Sequence, residues 1–364
     1  MTGLKQTGEA GHILEKAASG VTFKDAVDLL EYDLNTIGAA ADHLRQKAVG
    51  DLVTFVIDTT INYTNVCTSG CKFCAYYRRA GDKDAYVLNI DEILEKVSNA
   101  AKLGATQVLI QGGLNPDLPI EYYEDVIKTV RDKFPNVQRH FFSAPEISFI
   151  AKTSGSSVKE TLERLIDAGL QSIPGGGAEL LDDDIRKKIS PNKISWGQWK
   201  RVMITAHKLG LKTSATMVYG FGESKKTRIK HILRLREIQE KTEGFTAFIP
   251  WSFQPEHTEL YDEGPPATGG IDYLEVIALS RILLAGAIDN IQCSWLTEGA
   301  KLGQVALFYG ANDFSGTIIE ENVVKAAGVN STPMPAQEIV RLINESGRPA
   351  AQRDTLYKIV KSYG

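Results

Sequence analysis

From residue 54 onward, the chain alternates short apolar runs rich in β-branched residues with amphipathic helical segments. This alternation constrains the fold more than any other feature of the sequence, because it is the pattern of parallel strands joined by helical crossovers. Eight such units predict an α/β fold, a TIM-like (β/α)8 barrel with its functional side chains after the carboxyl ends of the strands. The predicted strands are residues 54–60, 107–111, 138–143, 170–174, 212–219, 246–253, 290–295 and 305–309.

Two further segments flank the predicted barrel. Residues 1–50 have apolar positions at three- and four-residue spacing and predict an N-terminal helical segment. The barrel itself is expected over residues 51–328. Residues 329–364 are interpreted as a C-terminal helical tail that packs on the barrel.

The composition excludes some classes of partner. The chain has 41 Lys plus Arg against 45 Asp plus Glu, which gives no indication of a nucleic-acid partner. No run approaches the ~20 apolar residues that cross a bilayer, and the N-terminus lacks the pattern of an export signal. We therefore expect a cytoplasmic protein with no membrane partner. In a reducing compartment, a cysteine cluster favours metal binding or redox chemistry over disulfides.

Three of the four cysteines, Cys67, Cys71 and Cys74, lie within eight positions just after the first predicted strand. Such short gaps allow three thiolates to converge on an iron-sulfur cluster or a zinc ion. A structural zinc site usually has four ligands in paired short spacings, and the fourth cysteine, Cys293, is over two hundred residues away. Three cysteines would leave one iron of a cuboidal cluster open. A zinc ion completed by a distant histidine is the alternative.

The pattern Cys67-Thr-Ser-Gly-Cys71-Lys-Phe73-Cys74 resembles the cluster-binding loop of the radical S-adenosylmethionine (SAM) enzymes. The resemblance implies a 4Fe-4S cluster on the three cysteines, with the amino and carboxylate groups of SAM on the open iron. It also implies that Phe73 lies beside the adenine.

Further positions at strand ends match the cofactor-binding elements of that superfamily. Gly112 and Gly113 resemble the glycine-rich element for the methionine amino group, although two glycines can also form a simple turn. Ser143 and Glu146 would hold the ribose hydroxyls. The stretch from Gly220 to Glu223 resembles the adenine-contacting segment. Glu146 and Glu223 are alternatively helix caps.

Longer stretches resemble the futalosine-pathway enzymes of menaquinone biosynthesis, and among them most closely the dehypoxanthine futalosine cyclases. These stretches are "INYTNVCTSGCKFCAYYR", "QGGLNPDLPIEYY", "SIPGGGAELL", "IPWSFQPEHTEL" and "YGANDFSGTIIEENV". The resemblance implies that an adenosyl radical takes a hydrogen from the ribose of dehypoxanthine futalosine and that the sugar radical then adds to the benzoate ring. It also implies an electron donor such as a flavodoxin or ferredoxin. Aminofutalosine synthases and a non-catalytic zinc-binding module remain alternatives.

Such a reaction needs a dry pocket, an anchor for a carboxylate and a base. Arg78 is the candidate anchor, because a guanidinium matches a carboxylate, but a surface salt bridge is the alternative. His257 is the candidate base, with Glu146 or Asp313 in its place as alternatives. Cys293 is interpreted as a buried thiol. The candidate pocket residues are Tyr76, Tyr77, Gly176, Trp251 and Gln254.

Overall fold

The computed structural model describes residues 8–264, 268–330 and 332–363. The chain begins with helices, as the spacing of its apolar residues predicts. Asp33 caps the longest of them by accepting hydrogen bonds from the next turn. These helices are α1 (Gly8–Ser19), α2 (Phe23–Asp28) and α3 (Leu34–Val49), with a 3-10 turn at Leu29–Glu31.

A ring of parallel strands follows. A six-stranded sheet runs in the order β2-β3-β4-β5-β6-β7, and β1 pairs in parallel with β8. Only Ile57 separates β1 from β2, and two isolated parallel bridges at Ile291 and Gln292 join β7 to β8. This arrangement confirms the predicted α/β barrel class. The strands are β1 (Val53–Val56), β2 (Asp58–Ile61), β3 (Gln107–Ile110), β4 (Gln138–Phe141), β5 (Ser172–Ile173), β6 (Lys212–Tyr219), β7 (Phe245–Ser252) and β8 (Asp313–Gly316).

Helices occupy the connections between strands. In the first of them, Asn89 and Glu92 form a reciprocal capping box, and Ile93 and Val97 face the core. None of the described helices is long and apolar enough to cross a membrane. The helices are α4 (Ile90–Lys102), α5 (Ile120–Lys133), α6 (Ala144–Thr153), α7 (Val158–Ala168), α8 (Asp183–Ile189), α9 (Trp196–Lys208), α10 (Lys225–Thr242), α11 (Glu259–Asp262), α12 (Gly270–Leu283), α13 (Trp295–Glu298), α14 (Ala300–Ala306), α15 (Val323–Ala326) and α16 (Ala336–Glu345).

The last predicted strand is wrong. Residues 305–309 form the end of α14 and a 3-10 turn, and the eighth strand position is occupied by β8. Ala306 and Leu307 are buried while Val305 and Phe308 are exposed, which is a helical rather than an alternating pattern. Gly310, at a φ of 109°, then ends the turn. Within the predicted seventh strand, only Ile291 and Gln292 make bridges.

The C-terminal segment contains the predicted helix, α16, followed by two strands that the sequence analysis did not predict. They are β9 (Ala350–Arg353) and β10 (Ile359–Tyr363). β9 pairs in parallel with β1, and the Thr106 hydroxyl donates to the Arg353 carbonyl at 3.1 Å. The segment therefore closes the amino-terminal end of the barrel, which we call the floor.

Candidate active site

A cavity of about 420 Å³ runs through the barrel from the cysteine loop to the floor. Most of the residues that the sequence analysis selected line it. They are Cys67, Cys71, Phe73, Cys74, Tyr76, Tyr77, Gly112, Gly113, Ser143, Glu146, Gly176, Trp251 and Gln254.

The cysteine loop presents three free thiols to this cavity. The Ser69 hydroxyl lies 3.2 Å from the Cys71 sulfur, and the Ser69 amide donates to the Cys67 sulfur at 3.4 Å. Burial raises the pKa of the Cys71 thiol to about 11 and also raises that of Cys74. Without a metal, these two side chains are therefore neutral thiols, and a bound cation would favour their thiolates.

The donor set fits a cluster better than a single metal ion. Among the described residues, no three His, Cys, Asp or Glu side chains come close enough to share one ion. With Zn–S bonds near 2.3 Å, the ligand sulfurs of one tetrahedral zinc lie only about 3.8 Å apart. In a cuboidal cluster, by contrast, each thiolate binds a different iron, so the sulfurs are spaced more widely. Cys67, Cys71 and Cys74 are thus the residues that would hold a 4Fe-4S cluster.

Gly112 and Gly113 are required by the packing of the cysteine loop. A Cβ at Gly113 would lie 2.1 Å from the Val66 carbonyl oxygen, and one at Gly112 would lie 2.9 Å from that of Thr64. The two glycines thereby let β3 support the loop directly. The Gly112 amide already donates to Glu146 at 3.0 Å, so it is not a free donor for a ligand.

Glu146 has a structural function that the sequence analysis proposed only as an alternative. Its carboxylate accepts hydrogen bonds from Ser143, Gly112 and the Tyr63 hydroxyl, the last at 2.9 Å, and it caps α6. A carboxylate with its lone pairs used in this way is poorly suited to accept a substrate proton. The structure therefore corrects the candidate role of Glu146 as base.

The two segments expected near the adenine, the cysteine loop with Phe73 and the stretch from Gly220 to Glu223, are in contact. The rings of Phe73 and Phe221 lie 5.7 Å apart between centroids. However, the Glu223 carboxylate folds back onto the amides of Gly220 and Phe221 and pairs with Arg228 at 2.6 Å. Glu223 does not line the main cavity, and Gly220 lines a second cavity beside it. The predicted contact of these two residues with adenine is therefore not supported.

Arg78 is not positioned to bind a carboxylate in the cavity. Its Nε donates to Asp84 at 2.7 Å, and its Nη1 donates to the carbonyl groups of Ala75, Tyr76 and Tyr77. The guanidinium thus holds the chain that follows Cys74. The salt-bridge alternative is the correct one.

The structure also does not place the other two candidate bases, His257 and Asp313, at the cavity. His257 is exposed and bonds to the Ala326 carbonyl from outside the main cavity. Asp313 is fully buried and paired with Arg353, so its carboxylate is not open to the cavity. Cys293 is a fully buried thiol, as expected.

The sequence analysis missed a charged pair beside the cysteines. Glu179 and Lys193 line the cavity, with Lys193 Nζ 2.8 Å from Glu179 Oε1 and 5.3 Å from the centroid of the Phe73 ring. Burial lowers the pKa of Lys193, but the Glu179 charge outweighs this effect and the result is raised to about 12. Glu179 follows the glycines after β5, a signal that could have identified it.

The floor residues were missed as well. Asp58, Arg353, Thr355 and Tyr357 line the far end of the cavity. Asp58 begins β2, where a single acidic residue in a strand gives no distinctive pattern. The other three belong to the C-terminal segment, which the sequence analysis had interpreted as a helical tail.

Profiles of two protein families match the chain. The Radical SAM superfamily profile matches residues 61–235, and the CofH/MqnC C-terminal region profile matches residues 242–362. The chain resembles the crystal structures of HydG, a maturase of the [FeFe]-hydrogenase, and of methylornithine synthase (PylB). The TM-scores are 0.75 and 0.72 at 19% and 18% identity, over 94% and 92% of this chain and 75% and 96% of theirs. At these identities, the similarity concerns the fold.

Curated relatives are much closer in sequence. Cyclic dehypoxanthine futalosine synthase of Halalkalibacterium halodurans is 45% identical over 96% of this chain and 95% of that protein. 5-Amino-6-(D-ribitylamino)uracil–L-tyrosine 4-hydroxyphenyl transferase of Methanothermobacter thermautotrophicus is 43% identical over 96% of this chain and 97% of that protein. The cofactors of the superfamily are a 4Fe-4S cluster and SAM. The chain is a radical SAM enzyme and belongs to the CofH/MqnC family.

Proposed function

We propose that this protein cyclises dehypoxanthine futalosine to cyclic dehypoxanthinyl futalosine in menaquinone biosynthesis. The observation that carries the proposal is the 45% identity, over nearly the whole chain, to a relative with that name. The stretch "IPWSFQPEHT" favours the same reaction. A cavity that reaches from three free thiols into the barrel supports the class of chemistry.

When held by Cys67, Cys71 and Cys74, the cluster together with SAM would supply radical chemistry for hydrogen abstraction. The protein's own contribution is to position the reactants and exclude water. The Phe73 ring lines the cysteine end with the Phe221 ring packed against it, and Trp251, within β7, lines the cavity as well. The Glu179–Lys193 pair places both a donor and an acceptor beside the cysteine loop, where polar groups of a cofactor could bind.

The experiment is anaerobic turnover of the reconstituted enzyme with SAM, a reductant and dehypoxanthine futalosine. We expect free 5′-deoxyadenosine together with a product that is two hydrogens lighter than the substrate. In a parallel incubation with the olefin substrate of the aminofutalosine synthases, incorporation of the adenosyl group into the product would instead indicate that activity. A flavodoxin or ferredoxin is the proposed electron donor, and replacing the chemical reductant with either protein tests that proposal.

A second candidate function comes from the transferase at 43% identity, because the two identities are close. That activity joins two substrates, whereas the cyclisation acts on one. Parallel incubation with 5-amino-6-(D-ribitylamino)uracil and L-tyrosine distinguishes the transferase activity from the cyclase activity. Product formation only in this second incubation would reject the cyclase.

A further inference from the structure

The interior of the barrel is polar near the floor. The inward side chains of a TIM barrel are usually branched and apolar and fill the interior in layers. Here the lining is largely apolar, but it also includes Asp58, Gln107, His140, Ser214 and Gln292, which come from five different parts of the ring. Several polar side chains around an open volume indicate a binding chamber that can receive a polar group rather than a packed core.

Two hydroxyl groups on the floor have no hydrogen-bond partner among the described residues. Thr355 Oγ1 and Tyr357 OH are both buried and unpaired, and both residues line the cavity. Asp58 Oδ1 accepts from the Ile318 amide at 3.1 Å, while no hydrogen bond to Oδ2 is found in the described chain. An unpaired buried hydroxyl has lost its hydrogen bonds to water without replacement, which is unfavourable. A ligand that pairs with these atoms would remove that cost.

The backbone holds these hydroxyls in place. Asp354 accepts hydrogen bonds from the amides of Leu356 and Lys358, and Tyr357 adopts a φ of 64°. A tyrosine in the left-handed region is strained, and such residues cluster at binding sites. The guanidinium of Arg353 lies 4.0 Å from the centroid of the Tyr357 ring and fixes its position.

The net charge of the floor determines which kind of ligand group can bind there. Two carboxylates, Asp58 and Asp313, face one guanidinium, that of Arg353, so the formal net charge is −1. Burial lowers the pKa of His140 to about 3, which leaves this side chain neutral. Glu321 also lines the cavity, and burial raises the pKa of its carboxyl, which favours the neutral form. A carboxylate would be repelled here, whereas neutral hydroxyls can donate to Asp58 and pair with Thr355 and Tyr357.

We propose that Asp58, Thr355 and Tyr357 form a site that binds the hydroxyl groups of the sugar-derived part of the substrate. The proposal rests on the proposed function, because the ribose of dehypoxanthine futalosine supplies those hydroxyls. The ribityl chain named in the transferase relatives offers the same chemistry. Thr355 and Tyr357 lie in the part of the chain that the CofH/MqnC profile matches, beyond the shared radical SAM region. These two floor residues are therefore part of the region that the family profile describes.

The test measures binding to the unreduced holoenzyme with SAM present, so that no turnover occurs. Anaerobic calorimetry gives the Kd of dehypoxanthine futalosine for the wild type, Thr355→Val, Tyr357→Phe and Asp58→Asn. Thr161→Val is the matched control, because Thr161 Oγ1 is also buried and unpaired but lies in α7, outside the cavity. We expect each floor variant to weaken binding roughly three- to tenfold, with the control and the Kd of SAM unchanged. The Tm of Thr355→Val should not fall, because no hydrogen bond within the protein is lost.

Two results would overturn the floor site. Unchanged substrate affinity in both hydroxyl variants means that these groups bind only water. Tighter binding by Asp58→Asn means that the floor receives an anion. Failure of the proposed function looks different. If the wild type binds only 5-amino-6-(D-ribitylamino)uracil and the floor variants weaken that binding, the proposed hydroxyl site is supported and the proposed cyclase function is rejected. If the wild type binds neither compound, both proposals are rejected.

Discussion

The Arg353 guanidinium forms a bidentate ion pair with the Asp313 carboxylate, with Nε–Oδ2 and Nη2–Oδ1 distances of 2.5 and 3.1 Å. Both side chains are buried, and Asp313 also accepts a hydrogen bond from the Thr54 hydroxyl at 2.6 Å. The pair therefore joins β1, β8 and β9. It attaches the C-terminal segment to the ring of strands and so holds the floor in place.

Replacing Arg353 with Met should be strongly destabilising. The change leaves the Asp313 charge buried without its partner, which costs about 3–5 kcal/mol. Urea unfolding measures the loss. Arg341→Met is the control, because Arg341 pairs with Glu338 and Glu345 on the surface, where solvent screens the ion pair and its loss should have little effect. A similar loss in both variants would contradict a structural role for the buried pair.

The Cys71→Ala variant should stay folded but lose the cluster and the cleavage of SAM. The reason is that one of the three thiols facing the cavity is removed. Iron content, visible absorbance and release of 5′-deoxyadenosine measure the effect. Cys293→Ala, which removes a buried thiol outside the cavity, should keep its iron. Cleavage of SAM by Cys71→Ala would refute the assignment of the loop.

The Arg78→Met variant should weaken cluster retention rather than substrate binding. Arg78 holds three carbonyl groups of the chain after Cys74, and the change frees that segment. The rate of iron loss to a chelator should rise, while the substrate Kd of protein with a full cluster stays within about twofold. A large rise in this Kd with the cluster intact would restore Arg78 as a carboxylate anchor.

His257→Ala should leave the pH dependence of turnover unchanged. The side chain is exposed and lies outside the main cavity, so it cannot reach a proton on a bound substrate. Steady-state kcat between about pH 6 and pH 9, on either side of the usual histidine range, provides the comparison with wild type. Loss of an ionisation in the variant would reinstate His257 as the base.

Asp58 should make the fold less stable as the pH rises. Burial raises the pKa of its carboxyl from 3.8 to about 6; Asp313 adds to this effect, and Arg353 and the Ile318 amide oppose it. Between those values the unfolded chain releases the proton while the folded chain retains it. Stability is therefore highest below pH 3.8 and falls through pH 6, by about 3 kcal/mol for this group.

Urea unfolding of Asp58→Asn at pH 4 and pH 7 tests this sign. Relative to wild type, the variant should gain stability between the two values. Asp25→Asn is the opposite case, because the Lys16 ion pair lowers the pKa of Asp25 and its stabilising effect appears only as the pH rises. A pH-independent difference between Asp58→Asn and wild type would show that the Asp58 carboxyl titrates normally.

The sequence by itself determined the class of fold and the cysteine trio. Apolar periodicity is local, so the runs that became β3, β6 and β7 could be recognised from neighbouring residues alone. The spacing of Cys67, Cys71 and Cys74 is local too, and its position after the first strand put the thiols at the carboxyl ends of the barrel strands.

Only the tertiary structure decided what the surrounding polar side chains do. Glu146 accepts a hydrogen bond from Tyr63, and Asp313 pairs with Arg353. In both cases the partners are far apart in the sequence, so no local sequence pattern indicates the pairing. For the same reason β9 could not be predicted, because the short run Ala350–Arg353 becomes a strand only by pairing with β1. Hydrogen bonding and burial depend on partners brought together by folding, and those partners determined which candidates reach the cavity.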